Sequence, residues 1–141
     1  MRLATTLIFI LLSTLSQAEV RIDQAYVRAL LPGQANSAAF MVFYNDAEED
    51  IYLQSVDTDM AEQAELHEHI HSGDMMRMQQ VQRLRIPAKG FLNMRSGGYH
   101  LMLLGLSESL REGDQLTLRF HFSDGSLQQH VLPIKSLFNE S

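Results

Sequence analysis

In the segment QLTLRFHF, from Gln115 to Phe122, polar and apolar side chains alternate strictly. Successive side chains of a β-strand point to opposite faces, so this pattern predicts a strand with one buried face. Asp124-Gly125 follows, a dipeptide typical of a tight hairpin turn, and a second strand is expected from Leu127 to Ile134. The C-terminal part of the chain therefore predicts an antiparallel hairpin.

Short apolar or alternating segments recur upstream, separated by turn residues. They predict further strands over Val20 to Arg28, Ala38 to Tyr44, Ile51 to Val56, Leu66 to His71, Met75 to Leu84, Phe91 to Met94 and Tyr99 to Leu104. The segment from Asp57 to Ala64 lacks strand alternation, and a helical turn is expected there. Eight or nine short strands with few helical patterns predict an all-β fold, an antiparallel β-sandwich. Its core is expected to contain Phe40, Val42, Leu116, Leu118, Phe120 and Phe122.

The N-terminal 18 residues differ from the rest in composition. Arg2 precedes a short apolar run, Leu7 to Leu12, and Ser16-Gln17-Ala18 provides the small residues of a cleavage site. This order is typical of a secretory signal peptide, and the apolar run is too short to span a bilayer core of ~30 Å. We therefore expect a cleaved signal over residues 1–18 and one exported domain over residues 19–141.

The chain is acidic, with a formal net charge of -6, and it contains no cysteine. Phosphate binding requires a basic patch, so the charge argues against nucleic acid as a partner. Without cysteine there are neither disulfides nor thiolate ligands.

Histidine and methionine are concentrated in one segment, HEHIHSGDMMRM, and recur in His100-Leu101-Met102. Residues two apart in a strand share a face, so we expect His67, His69 and His71 on one face of a hairpin. His100 and Met102 are expected on one face of another strand. Imidazole and thioether groups without cysteine favour copper over a structural zinc site.

The spacing alone leaves open which histidines and methionines bind. Single methionines commonly fill apolar gaps, so Met41, Met60 and Met94 are interpreted as core or rim residues. Other functions also remain open: copper tolerance or storage, a copper or zinc enzyme using Glu68 or Asp74 as acid or base, and an adhesion or ligand-binding sandwich.

The same residues resemble the signature of the PCu(A)C family of periplasmic copper chaperones: a His, ten residues, a Met, twenty-one residues and then His-x-Met. Here ten residues separate His67 from Met78, twenty-one separate Met78 from His100, and Met102 completes the pair. The similarity extends to the flanking segments Leu66-His67-Glu68, Gly98 to Leu103, Leu110 to Asp114, Tyr26 to Ala29 and Pro32-Gly33.

The resemblance implies a monomeric, cupredoxin-like Greek-key sandwich in the periplasm that binds Cu(I) through His67, Met78, His100 and Met102. It also implies delivery of copper to the CuA centre of cytochrome c oxidase, sometimes alongside Sco-type thiol proteins, without catalysis. The chain departs from the family at His71, where Met is more common, and at the additional His69. Because imidazole suits Cu(II), these two residues are candidate ligands for Cu(II).

Overall fold

The computed structural model describes residues 20–138, which form ten β-strands and no helix. The strands are β1 (Arg21–Arg28), β2 (Ser37–Asn45), β3 (Ile51–Asp57), β4 (Ala61–Ser72), β5 (Met75–Gln80), β6 (Leu84–Ile86), β7 (Gly90–Met94), β8 (His100–Leu106), β9 (Gln115–Phe122) and β10 (Leu127–Lys135). Across the described residues, no helix is long and apolar enough to cross a membrane. The predicted signal peptide lies outside the described residues.

The strands form one hydrogen-bonded sheet that folds into two layers. One layer has the order β5-β4-β8-β2-β1, with β7 also paired to β2, and the other has the order β10-β9-β3-β6. A parallel pairing of β1 with β10, at Val27↔Ile134 and Arg28↔Lys135, joins the layers. The chain is an all-β, cupredoxin-like sandwich, which confirms the fold class predicted from the sequence.

The core lies between the two layers. Phe43 of β2 packs edge-on against Phe120 and Phe122 of β9, with ring centroids 5.8 and 6.1 Å apart. The four predicted core residues of β9 are each at most 2% exposed: Leu116, Leu118, Phe120 and Phe122. Alternation along β9 therefore identified the core face correctly.

The strand β2 is buried on both faces. Met41 and Phe43 belong to the core cluster between the layers. Phe40 and Val42 are buried as predicted, 3% and 8% exposed, but alternation places them on the opposite face of β2, outside that cluster. Burial of both faces accounts for the nearly continuous apolar run in this strand.

Two predictions about strand limits are wrong. The helical turn expected over residues 57–64 is absent because β4 already begins at Ala61, where it pairs with Leu106 of β8. The single strand expected from Met75 to Leu84 is interrupted: β5 ends at Gln80, and β6 pairs with β3 in the other layer.

Candidate metal centre

Three neighbouring strands, β5, β4 and β8, bring the predicted histidines and methionines together near one edge of the sheet. In the strand register, His67 of β4 lies opposite His100 of β8, and His69 lies opposite Met78 of β5. Residues directly opposite each other in adjacent strands share a face. The four side chains therefore occupy one face of the sheet.

This face is the outer face of the sandwich. Leu66 and Leu101, which are also directly opposite each other, belong to the core cluster and are 4% and 0% exposed. Because side chains alternate, burial of these leucines places the neighbouring His67, His100 and Met102 on the other side. The apolar residues between the candidate ligands thus fix the direction in which the ligands point.

His100 is the most buried histidine of the group, 3% exposed. Its Nδ1 lies 3.1 Å from the carbonyl oxygen of Gly98. A carbonyl only accepts hydrogen bonds, so Nδ1 carries the proton and Nε2 keeps its lone pair. Burial lowers the pKa of His100 from its ordinary value, against the raising effect of the Gly98 bond, and the nearby His69 and His67 lower it further. The net lowering of the pKa favours the neutral imidazole that a metal requires.

His67 makes a hydrogen bond with its neighbour on the same face, Glu65. The distance from His67 Nε2 to Glu65 Oε2 is 2.8 Å, and the two side chains are 16% and 23% exposed. The other ring nitrogen, Nδ1, is buried without a hydrogen-bond partner. A buried polar atom of this kind is uncommon, and metal binding is one arrangement that satisfies it.

His69 lies closer to His100 than His67 does. The ring centroids of His69 and His100 are 4.9 Å apart, compared with 5.7 Å for His67 and His100. Nδ1 of His69 is also buried without a partner. Its backbone N–H donates to the carbonyl oxygen of Gly98 at 3.3 Å, so a residue without a side chain lies beside it.

A cavity of about 330 Å³ opens on this outer face. Four of the candidate ligands line it: His69, Met78, His100 and Met102. Other strands and loops contribute Arg28, Phe40, Ser96 and Gly97. His67 is absent from this lining, and its ring lies beside the cavity in contact with His100.

The hairpin of β4 and β5 exposes its methionines. Met75, Met76 and Met78 are 74%, 62% and 51% exposed. His71 is exposed as well and lies opposite Met76. This pair is two residues nearer the hairpin turn than the pair of His69 and Met78, and so further from His100. Because β5 is an edge strand and methionine has three rotatable bonds, these thioethers can change orientation at little cost.

Within the part of the chain that the structure describes, no three His, Asp or Glu side chains are arranged to hold a metal ion. The other donor atoms that line the cavity beside the imidazoles include the thioether sulfurs of Met78 and Met102. Of the two acids considered for catalysis, Glu68 alternates to the opposite face of β4 from His67, and Asp74 lies in the exposed hairpin turn.

The family model described as "Putative lipoprotein LpqE-like" matches residues 20–134. The chain belongs to this LpqE-like family. Among curated proteins, it is similar to "Putative lipoprotein Lxx21020" of Leifsonia xyli subsp. xyli (strain CTCB07). The two are 31% identical over 117 residues, which cover 82% of this chain and 69% of that protein.

Solved structures with the same fold include DR1885 from Deinococcus radiodurans. Its Cu(I) form is 32% identical, with a TM-score of 0.66, and the match covers 79% of this chain and 74% of that chain. Its apo form is 29% identical, with the same TM-score of 0.66 and coverage of 96% and 91%. The copper-bound PCuAC domain from PmoF2 has a TM-score of 0.71 at 16% identity, covering 85% of this chain and 96% of that domain. This last likeness concerns the fold alone.

Sequence reasoning missed part of what surrounds the candidate centre in this LpqE-like chain. Arg28 and Phe40 belong to strands that are far from the histidines in sequence, and although Arg28 lies in the segment Tyr26 to Ala29 that resembles the family, neither residue was expected at the site. Glu65 carried a usable signal, because it lies two residues before His67 and so shares its face.

Proposed function

We propose that this protein is a periplasmic copper chaperone that binds Cu(I) and passes it on by ligand exchange. The observation that carries the proposal is the grouping of His67, His69, His100, Met78 and Met102 at the cavity on the outer face. Two of these histidines, His67 and His69, have a buried ring nitrogen without a hydrogen-bond partner. The likeness to DR1885, 32% identical and solved with Cu(I), supports the same cargo.

The donor set suits Cu(I) better than harder ions. Thioether sulfur is a soft ligand that selects Cu(I), and it binds without losing a proton. Imidazole supplies the remaining ligands. We propose that His67, Met78, His100 and Met102 hold the ion.

The burial of these residues suits transfer rather than permanent storage. His100 is 3% exposed and gives a fixed ligand, whereas Met78 is 51% exposed and belongs to an edge strand. An acceptor can therefore replace the outer thioether first while the inner imidazole still holds the ion. A carrier needs this combination, and no covalent reaction is required.

The family description, a lipoprotein, supports a location outside the cytoplasm, as does the predicted signal over residues 1–18. Following the resemblance to PCu(A)C proteins, we propose the CuA centre of cytochrome c oxidase as the destination and a Sco-type thiol protein as a co-operating partner. Deletion of the gene should lower oxidase activity in copper-limited cells. Normal activity, with only copper sensitivity, would indicate a role in tolerance instead.

The binding site is tested by replacing Met78 and Met102 together with Leu, which conserves volume and preserves packing. Changes outside the ligand shell already cost about 10- to 100-fold in metal affinity, so losing two ligands should cost more than about 100-fold. A competition titration against a Cu(I) chelator measures the affinity. The control is Met60→Leu with Met75→Leu, since Met75 lies on the other face of β5, opposite Ser72. Equal affinity in the wild type and the Met78/Met102 variant would contradict the proposed site.

A further inference from the structure

We infer that Glu65 is a positioning residue that makes His67 present Nδ1, rather than Nε2, to the metal. The inference rests on the proposed copper function and identifies the atom through which His67 would bind.

The hydrogen bond between Glu65 and His67 decides which nitrogen is available. Glu65 Oε2 lies 2.8 Å from His67 Nε2. An ionised carboxylate only accepts hydrogen bonds, so Nε2 carries the proton and donates it. The lone pair of the neutral ring is then on Nδ1, the nitrogen that is buried without a partner. Metal-binding histidines commonly donate their other ring N–H to a carboxylate in this way.

The surroundings of Glu65 make this bond specific. In the described part of the chain, the structure shows no Lys or Arg in an ion pair with Glu65. Its side chain is 23% exposed, whereas the side chains of the surface pair Arg21 and Asp23 are 64% and 53% exposed. In the register Glu65 lies opposite Met102, so the carboxylate also borders a second proposed ligand. Its side-chain hydrogen-bond partner is therefore an imidazole at the centre.

The same bond distinguishes His67 from His69. Within the described residues, the ring of His69 has no hydrogen bond to hold it, although it lies only 4.9 Å from the His100 ring. His67 lies directly opposite His100, with the ring planes inclined by 50°. His100 donates from Nδ1 to Gly98 and His67 donates to Glu65, so both rings are held by an outer partner. The structure thus gives His67 and His100 fixed lone pairs and leaves His69 adjustable.

Nuclear magnetic resonance on the metal-free protein tests the inference directly. Long-range nitrogen–proton spectra of the wild type should show His67 in the Nε2–H form, with slow exchange of this proton. Glu65→Ala should give rapid exchange, a mixture of the two tautomers, and a Cu(I) affinity lower by about 10- to 100-fold. Glu65→Gln keeps a carbonyl that can accept the same bond, so the Nε2–H form should persist and the loss of affinity should be smaller.

Glu68→Ala is the matched control, because Glu68 is on the same strand but faces the other way. Its His67 spectrum and Cu(I) affinity should equal those of the wild type. An Nδ1–H form of His67 in the wild type would overturn the inference even if Glu65→Ala does not fold. Unchanged affinity in Glu65→Ala would overturn it too, while leaving the copper function intact. Failure of the wild type itself to bind Cu(I) would instead refute the proposed function.

Discussion

His69 and His71 lie on the same face of β4, but their surroundings differ. His69 lines the cavity and its ring is 4.9 Å from that of His100. His71 is exposed near the hairpin turn and lies opposite Met76. Both could bring imidazole to an ion held near Met78, but only His69 is already beside the buried His100. Their proposed role as Cu(II) ligands can therefore be tested one residue at a time.

Replacing His69 by Ala should weaken Cu(II) binding while Cu(I) affinity stays nearly constant. Imidazole suits Cu(II), whereas thioether favours Cu(I), so removing an adjustable imidazole affects mainly the oxidised ion. Electron paramagnetic resonance of protein loaded with one Cu(II) should show nitrogen hyperfine structure, and this should change in the variant. His71→Ala is expected to have a smaller effect, and the double variant the largest. A spectrum and Cu(II) affinity identical to wild type in the double variant would remove both residues from the proposed site.

At the scale of strands, a charged cluster links β3 to β9 on the outer face of the other layer. Asp57 lies opposite Arg119 in the register and pairs with it, and His121 Nε2 lies 2.6 Å from Asp57 Oδ2. Arg119 also contacts Asp59 at 2.8 Å. The hydrogen bond from His121, together with that from Arg119, lowers the pKa of Asp57. Cross-strand pairs of opposite charge stabilise the pairing of the strands that carry them.

Asp57→Asn should lower the free energy of unfolding at neutral pH, and the difference from wild type should shrink in acid. The pKa of Asp57 is lower in the folded than in the unfolded chain, so its ionised form stabilises the fold above about pH 4. This contribution is lost as the pH falls through the folded pKa. Because Asp57 is half exposed, the effect at neutral pH should not exceed about 1 kcal/mol. Urea unfolding at about pH 7 and about pH 3 measures it.

The control is Asp46→Asn, in the exposed loop after β2, which should change stability little at either pH. If the free energy of unfolding of Asp57→Asn differed from that of the wild type by the same amount at both pH values, the charge of the Asp57 carboxylate would not contribute to stability.

Some strands could be predicted from local pattern and others could not. The alternation in β9 reflects one buried face, and it can be recognised from the polarity of the residues in that segment alone. The first part of β4, from Ala61 to Glu65, contains no buried residue and no alternation, and its extended form comes from pairing with β8. The break after Gln80 likewise depends on β6 pairing with β3, which no local signal specifies.

At the scale of the whole molecule, the sequence could place candidate ligands on faces but could not bring the strands together. Residues two apart share a strand face, so the relation among the histidines of β4 followed from spacing. That β8 would lie beside β4, with His100 opposite His67, depends on pairing between segments over thirty residues apart. The cavity residues Arg28 and Phe40 come from further strands and could not have been identified locally.

The fold as a whole has its core away from the candidate centre. Leu66 and Leu101 point into the core while their neighbours His67 and His100 point outward. The strands β4 and β8 therefore contribute side chains to the core on one face and to the candidate centre on the other. A domain of this size can bury enough apolar surface to fold without a metal. Folding and metal binding should consequently be separable.

We therefore predict that the metal-free protein is folded and that Cu(I) raises its stability by mass action alone. Far-ultraviolet circular dichroism should be nearly the same with and without copper. Thermal unfolding should shift upward with free Cu(I), corresponding to about 2.7 kcal/mol when its concentration is 100 times the dissociation constant. Without copper, the variant with Met78→Leu and Met102→Leu should unfold at nearly the wild-type temperature. Adding Cu(I) should raise the unfolding temperature of this variant only slightly. A random-coil spectrum of the metal-free protein would show instead that the metal is structural, because binding would then supply the free energy of folding.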